Sequence, residues 1–357
     1  MIEKEKLAMF QSLRCPVCKN SCLKVLEDLG YVVCSNCAHR YEILGNNSVS
    51  LLPEDISQTK VKIQRFWGDL CKQWYTNIDS ELSTESLNYY LVDLELMFKY
   101  RKHLAVIEMP LKEIRDKQIL EIGSGGGAHS ALFKQYGANV TAVDITKERV
   151  ISTAKKLALI KEGAGLSLQA DAENLPFIND SFDFVYSNGV LHHSENTERC
   201  IKEVLRVLKP GGKAVLMLYS RHSATFWLNL LPHSIFSGMI FRYPEPERIG
   251  ILTEGKPKFG STKNPITRIY SKRELMLLLK DFKIESLRKN SFSVSEIPIL
   301  SRISQILVRI FKCKAWKSGI LIYGSPYYAE TKIEMKLGET IGFAWNIIAS
   351  KKVSDKH

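Results

Sequence analysis

One stretch constrains this chain more than any other. Residues 118–130 read QILEIGSGGGAHS, an apolar run broken by clustered glycines. The β-branched run asks for a buried strand. The glycines then let the backbone turn sharply and approach a ligand where a Cβ would collide. The pattern continues downstream: AHSALFKQYG has helical spacing, ANVTAVDIT reads as a strand, and KERVISTAKKLALIKEG as a helix. GLSLQAD and FDFVYSN are further strands, NTERCIKEVLRVL a helix, KPGG a turn and KAVLMLYS a strand. Buried strands alternating with amphipathic helices predict an α/β protein with a mainly parallel, doubly wound sheet. DFKIESLRK and IGFAWNIIASKK supply two last strands. In such sheets the ligand lies at the carboxyl ends of the strands, where Gly123–Gly127 falls.

Two adenine cofactors compete for this loop. GSGGGA satisfies G-x-G-x-x-A, and acidic Asp144 follows about 20 residues on, as a dinucleotide such as NAD requires. The neighbouring residues point elsewhere. Glu121 stands two residues before the first glycine, Asp171 in QADAENLPF closes the third strand, and FDFVYSNGVLHH and LRVLKPGGKAVLMLY follow in order. Together residues 118–220 resemble class I S-adenosylmethionine-dependent methyltransferases, especially the bacterial small-molecule group that includes quinone methyltransferases. The resemblance implies a Rossmann-like seven-stranded sheet and S-adenosylmethionine as cofactor. It assigns Glu121, Gly123, Gly125 and Gly127 to the methionine and ribose side, and Asp144 to the ribose hydroxyls. Ile145 would pack on the adenine, Asp171 with Ala172 would read its edge, and Asn188 would border the sulfonium.

In that chemistry the cofactor carries the reactive carbon, and the protein must align the acceptor, worth at best roughly 7–11 kcal/mol. A base is needed only where the nucleophile loses a proton. His193 and His192, just past the fourth strand, are the candidate bases, and Tyr219 at the end of the fifth is a candidate pocket residue. Ser187-Asn188-Gly189-Val190 replaces the (N/D)PP(Y/F) motif of many amine-directed relatives, which disfavours exocyclic amines and glutamine as acceptors.

The front of the chain carries a second signal. Cys15 and Cys18 form one CxxC and Cys34 and Cys37 another. Two such turns aim four thiolates at one point, the pattern of a structural zinc site with no open position. LKVLEDLGYVV between them reads as two short strands with a turn at Gly30; Cys22 and His39 are nearby spares, bystanders unless one replaces a ligand. From LRCPVCKN through CSNCAHRYEIL to SVSLLPED the segment resembles the Trm112-like zinc ribbon, although Glu42 stands where that family has proline. Cys71, Cys200 and Cys313 are expected to be buried thiols.

The expected organisation is a zinc ribbon over 1–53, a helical cofactor cover over 54–110 and a methyltransferase domain over 111–357. Lid insertions are expected at about 221–270 and 291–335. Trp67, Trp74 and Tyr75 of the cover, and Arg268 and Tyr270 of the lid, are candidate pocket contacts. The start, MIEKEKLAMFQSLR, has no long apolar run, so the expectation is a cytoplasmic protein without a signal peptide.

Charge bears on partners. The net charge of +12 arises wholly in residues 221–357, which hold 23 Lys and Arg against 11 Asp and Glu. PILSRISQILVRIFK has apolar residues at helical spacing and a basic opposite face, suited to an anionic membrane surface or to covering a greasy pocket. The leading expectation is methylation of a small, lipophilic acceptor at oxygen or carbon, with peripheral membrane contact and no obligate protein partner. The alternative is RNA, because a ribosomal RNA guanine methyltransferase family joins a zinc ribbon to a similar core and basic residues suit phosphates.

Overall fold

The computed structural model describes residues 9–26, 30–45, 47–101, 108–254, 263–296, 315–328 and 330–353. The chain begins with β1 (Leu23–Leu26), β2 (Tyr31–Cys34), β3 (Arg40–Gly45) and β4 (Ser48–Ser50). Two long helices follow, α1 (Gln58–Glu81) and α2 (Thr84–Arg101). Then come β5 (Gln118–Ile122), α3 (Ala128–Gln135), β6 (Asn139–Asp144), α4 (Lys147–Leu159), β7 (Gly165–Gln169), β8 (Phe182–Asn188), α5 (Thr197–Val207) and β9 (Leu208–Ser220). A π-helical turn over Thr225–Leu230 leads into α6 (Leu231–Phe236), α7 (Glu245–Thr253), β10 (Ile269–Tyr270), α8 (Lys272–Leu278) and β11 (Phe282–Asn290). The last elements are β12 (Ala315–Trp316), α9 (Gly319–Tyr323), β13 (Tyr327–Tyr328), α10 (Lys332–Ile341) and β14 (Ala344–Lys351).

The main sheet has the order β1-β2-β3-β4-β7-β6-β5-β8-β9-β14-β11, with β10 alongside β9. It is mixed rather than mainly parallel, which corrects the sequence expectation. Strands β4 to β9 and β10 pair in parallel. The first strands, however, join through antiparallel hairpins, and β14 slots between β9 and β11 running against both. The central strands are buried along nearly their whole length, as strands covered by helices on both faces must be. One face packs Leu168, Val185 and Leu216 against Ile201 and Val204 of α5. The other packs Tyr186 and Val215 with Phe133 of α3 and with Leu87, Leu91 and Leu94 of α2.

The cysteine-bearing strands extend this sheet instead of standing apart. Ser48–Ser50 pair with Ser167–Gln169, and Cys15, Cys34, Tyr41 and Val49 share a core with Leu168 and Phe177. The KPGG segment, expected as a turn, lies within β9, where Gly211 takes φ +77°. Ser271 caps α8 in a reciprocal box with Glu274. PILSRISQILVRIFK and Cys313 lie outside the described residues, as does most of EGKPKFGSTK. Among the described residues no helix is long and apolar enough to cross a membrane.

Candidate active site

A cavity of about 240 Å3 opens at the carboxyl ends of β5 to β8. Its floor is the turn after β5. Gly123 adopts φ +76°, and a Cβ there would meet Val190 Cγ2 at 2.2 Å, so no other residue fits. The Gly123 and Ser124 N–H groups donate to the Val143 carbonyl at 2.7 and 3.2 Å, which ties the turn to β6. Gly123, Gly125 and Gly126 line the cavity. Gly127 is not among the lining residues: at φ +80° it starts α3, where a Cβ would press on Thr153.

Asp144, Ile145, Asp171, Ala172 and Asn188 all line the cavity. Asp144 accepts from the Thr146 N–H at 2.9 Å and the Gly125 N–H at 3.2 Å, with Arg149 Nη1 at 3.9 Å. Burial pushes its carboxyl up, while Arg149 and the two N–H groups pull it back. Asp171 takes the Lys60 ammonium on one oxygen at 2.7 Å and the Glu173 N–H on the other at 2.9 Å. Asn188 Oδ1 is buried with no hydrogen-bond partner among the described residues. These are the demands of a polar ligand with ribose-like hydroxyls and an amino edge: acceptors held in place and a backbone cradle that a Cβ would fill.

Glu121 does not reach the cavity. It is buried beneath it, takes the Ser130 hydroxyl and faces His129 Nδ1 at 3.4 Å. His129 does line the cavity, and its Nε2 has no hydrogen-bond partner among the described residues. The acid therefore acts on this wall through an imidazole that the sequence pattern did not single out.

The opposite end is built from β8, β9 and the lid. His193 lines it and is pushed down to about 3 by burial, so it is neutral at pH 7. Its Nδ1 lies 2.9 Å from Thr267 Oγ1 and 3.1 Å from Asn264 Nδ2, and its Nε2 lies 3.5 Å from Glu254 Oε1. Asn264 Oδ1 faces the Ile266 N–H, so its amide nitrogen faces the imidazole. Nδ1 also lies 3.3 Å from the Ile266 carbonyl, and Nε2 faces Glu254. The Tyr219 hydroxyl donates to the same carboxylate oxygen at 3.1 Å. Burial raises the Glu254 carboxyl. His192 does not line the cavity; it is fully buried and stacks between His193 and Tyr219 at 4.2 and 4.0 Å.

The cover is α1 with α9. Trp67, Trp74 and Tyr75 line the cavity, as do Leu321, Ile322 and Tyr323. Arg149 lies over the Trp67 ring at 4.7 Å, and the Tyr75 hydroxyl donates to the Ile322 carbonyl at 2.6 Å. Arg268 and Tyr270 stay outside it. Arg268 instead braces the loop after His193 by donating to the Ser194 and Glu195 carbonyls. Lys60, His129, Arg149 and Glu254 are among the lining residues that sequence reasoning missed. Each lies outside the strand ends that the motif covers, and no spacing rule connects Lys60 or Glu254 to the glycine turn.

At the front of the chain the Sγ atoms of Cys15, Cys18, Cys34 and Cys37 all lie within 4.8 Å of one another. Four sulfurs around a tetrahedral zinc stand about 3.8 Å apart, so this donor set fits such an ion. Cys22 Sγ lies 3.3 Å from Cys34 Sγ but is not one of the four.

Residues 120–216 match the family described as "Methyltransferase domain". Among similar proteins, the malonyl-[acyl-carrier protein] O-methyltransferase of Pectobacterium atrosepticum is 34% identical over 95 residues, 27% of this chain and 36% of that protein. The demethylmenaquinone methyltransferase of Clavibacter sepedonicus is 34% identical over 107 residues, 30% of this chain and 43% of that protein. The chain thus spans about two-fifths of the length of these relatives. A solved S-adenosylmethionine-dependent methyltransferase from Methanosarcina mazei superposes with a TM-score of 0.43 at 23% identity, over 67% of this chain and 94% of that one. Over residues 120–216, then, the chain carries a methyltransferase domain.

Proposed function

We propose that this chain transfers a methyl group from S-adenosylmethionine to oxygen or carbon of a small, lipophilic organic acceptor. One observation carries the reading: the cavity has the glycine turn and Asp144 at one end and the His193–Glu254–Tyr219 cluster at the other. Asp144 would hold the ribose hydroxyls, Ile145 and Ala172 the adenine, and His129 and Asn188 the methionine side. The bound cofactor supplies an electrophilic methyl carbon. The chain's own residues do the rest. Glu254, raised by burial and held by the Tyr219 hydroxyl and His193 Nε2, is the base for an acceptor hydroxyl or enol. His193 positions that carboxylate rather than taking the proton itself. Trp67 and Tyr75 exclude water. The two relatives named above are a malonyl-[acyl-carrier protein] O-methyltransferase and a demethylmenaquinone methyltransferase, and the apolar walls of this cavity suit an apolar acceptor. Cys15, Cys18, Cys34 and Cys37 are inferred to hold one structural zinc ion.

The test is calorimetric titration with S-adenosylhomocysteine, with NADH in parallel. Binding of the former alone is expected. Asp144→Ala removes two charge-assisted hydrogen bonds and should weaken binding by at least roughly tenfold. NADH binding in its place would sink the reading. With labelled cofactor, counts in an organic extract support a lipophilic acceptor, whereas counts retained in RNA would transfer the activity to the RNA alternative.

A further inference from the structure

Residues 224–243, ATFWLNLLPHSIFSGMIFRY, leave the end of β9 and contain no Asp or Glu. Their inward side chains, Phe226 and Leu230, pack with Ile249, Ile269 and Phe343 and touch Tyr219 of the cavity wall. Their outward side chains are exposed. Phe236 is 90% and Phe241 89% exposed, and Trp227, Leu228 and Ile235 are each about half exposed. Soluble monomers rarely leave so many large apolar groups together. The segment also satisfies its own hydroxyls. Ser234 Oγ donates to the Leu230 carbonyl and Ser237 Oγ to the His233 carbonyl, both at 2.6 Å, so neither needs water. Around this apolar face stand His222, His233 and Arg242, all exposed, within the part of the chain that carries the whole positive excess.

We propose that this face is a membrane-docking surface for an anionic bilayer, with Phe236 and Phe241 entering the acyl boundary and Arg242 among the headgroups. Apolar tips, basic flanks and no carboxylate are what an interfacial segment needs. Residues 224–243 hold Arg242 but no carboxylate, so a second copy of this face would bring it no counter-charge, whereas an anionic bilayer would. The surface shares a buried cluster with Tyr219 of the cavity wall, so docking would bring the cavity close to a bilayer that holds a lipophilic acceptor. That last step rests on the proposed methyl transfer; the docking does not.

The experiment sediments the full-length protein with vesicles of phosphatidylcholine, alone or with about 30 mol% phosphatidylglycerol. Partition onto the anionic vesicles is expected, weakened by salt. Phe236→Ser with Phe241→Ser should lower it roughly tenfold or more, with S-adenosylhomocysteine binding unchanged. Wild-type protein left in the supernatant, or equal partition of both proteins, would overturn the docking. So would a lipid-free dimer, seen by sedimentation velocity, that the double substitution abolishes. Because the homocysteine titration runs on the same samples, failure of the docking and failure of the cofactor reading are read separately.

Discussion

His193 and its neighbours set a pH signature that can be measured without knowing the acceptor. In the unfolded chain His193 takes up a proton as pH falls through about 6.5; in the folded protein it does so only near 3. Between these values the unfolded state binds more protons, so stability falls as pH drops, by about 1.4 kcal/mol per pH unit. Buried His192, also shifted down, adds in the same direction, and Glu254, shifted up, acts in the opposite one. His193→Gln isolates the term. Urea unfolding at pH 7 and pH 5 should cost the native protein about 2 kcal/mol more than the variant. Equal losses would mean that His193 is not held neutral. At this scale the sequence was legible where chemistry is local. The glycine turn and Asp144 follow one another on the strand ends, so their types and spacing carry their roles. Glu121 and His192 show the limit, because a residue type at a strand end does not say which way its side chain points.

At the scale of elements, the cysteine-bearing segment shows what the sequence leaves out. Its two CxxC turns announce four converging thiols, yet no pattern within residues 1–53 announces that β4 pairs with β7. That pairing has three further ties. Leu51 N–H donates to the Gln169 carbonyl at 2.8 Å, Ser167 N–H to the Asn47 carbonyl at 2.9 Å, and Ser50 Oγ to Gln169 Oε1 at 2.7 Å. Gln169 in turn donates to the carbonyl of Ile145 on the cavity wall. A metal bound by the four thiols would therefore support the sheet edge next to the cavity. Emission spectrometry should find one zinc per chain, reduced in Cys15→Ser and Cys37→Ser. Because the ribbon shares its core with β7, calorimetry should show one unfolding transition moved down by several degrees. A separate early transition, with the main one unmoved, would make the ribbon an independent unit.

The whole molecule closes its site with pieces from both ends of the chain, which is why periodicity alone could not draw it. α1 follows the ribbon and α9 lies near the last strands, yet they meet over the glycine turn. A Cβ on Gly126 would lie 2.9 Å from Tyr75 and 3.0 Å from the Leu321 carbonyl, and one on Gly324 would strike Trp74 at 2.6 Å. Lys60 fastens α1 to Asp171 and Glu173, and Gln64 fastens it to the Ile145 carbonyl. A ligand in the cavity lies against this cover, with residues of α1 and α9 on its wall. S-adenosylhomocysteine at a hundred times its dissociation constant should add about 2.7 kcal/mol of stability. Under the same conditions hydrogen exchange should slow in 58–81 and 319–323 as well as in 118–145. Protection confined to 118–145 would mean that the two ends rest against the site without holding its ligand. Slowing in all three would show that cofactor binding couples the chain's first long helix to its last short one.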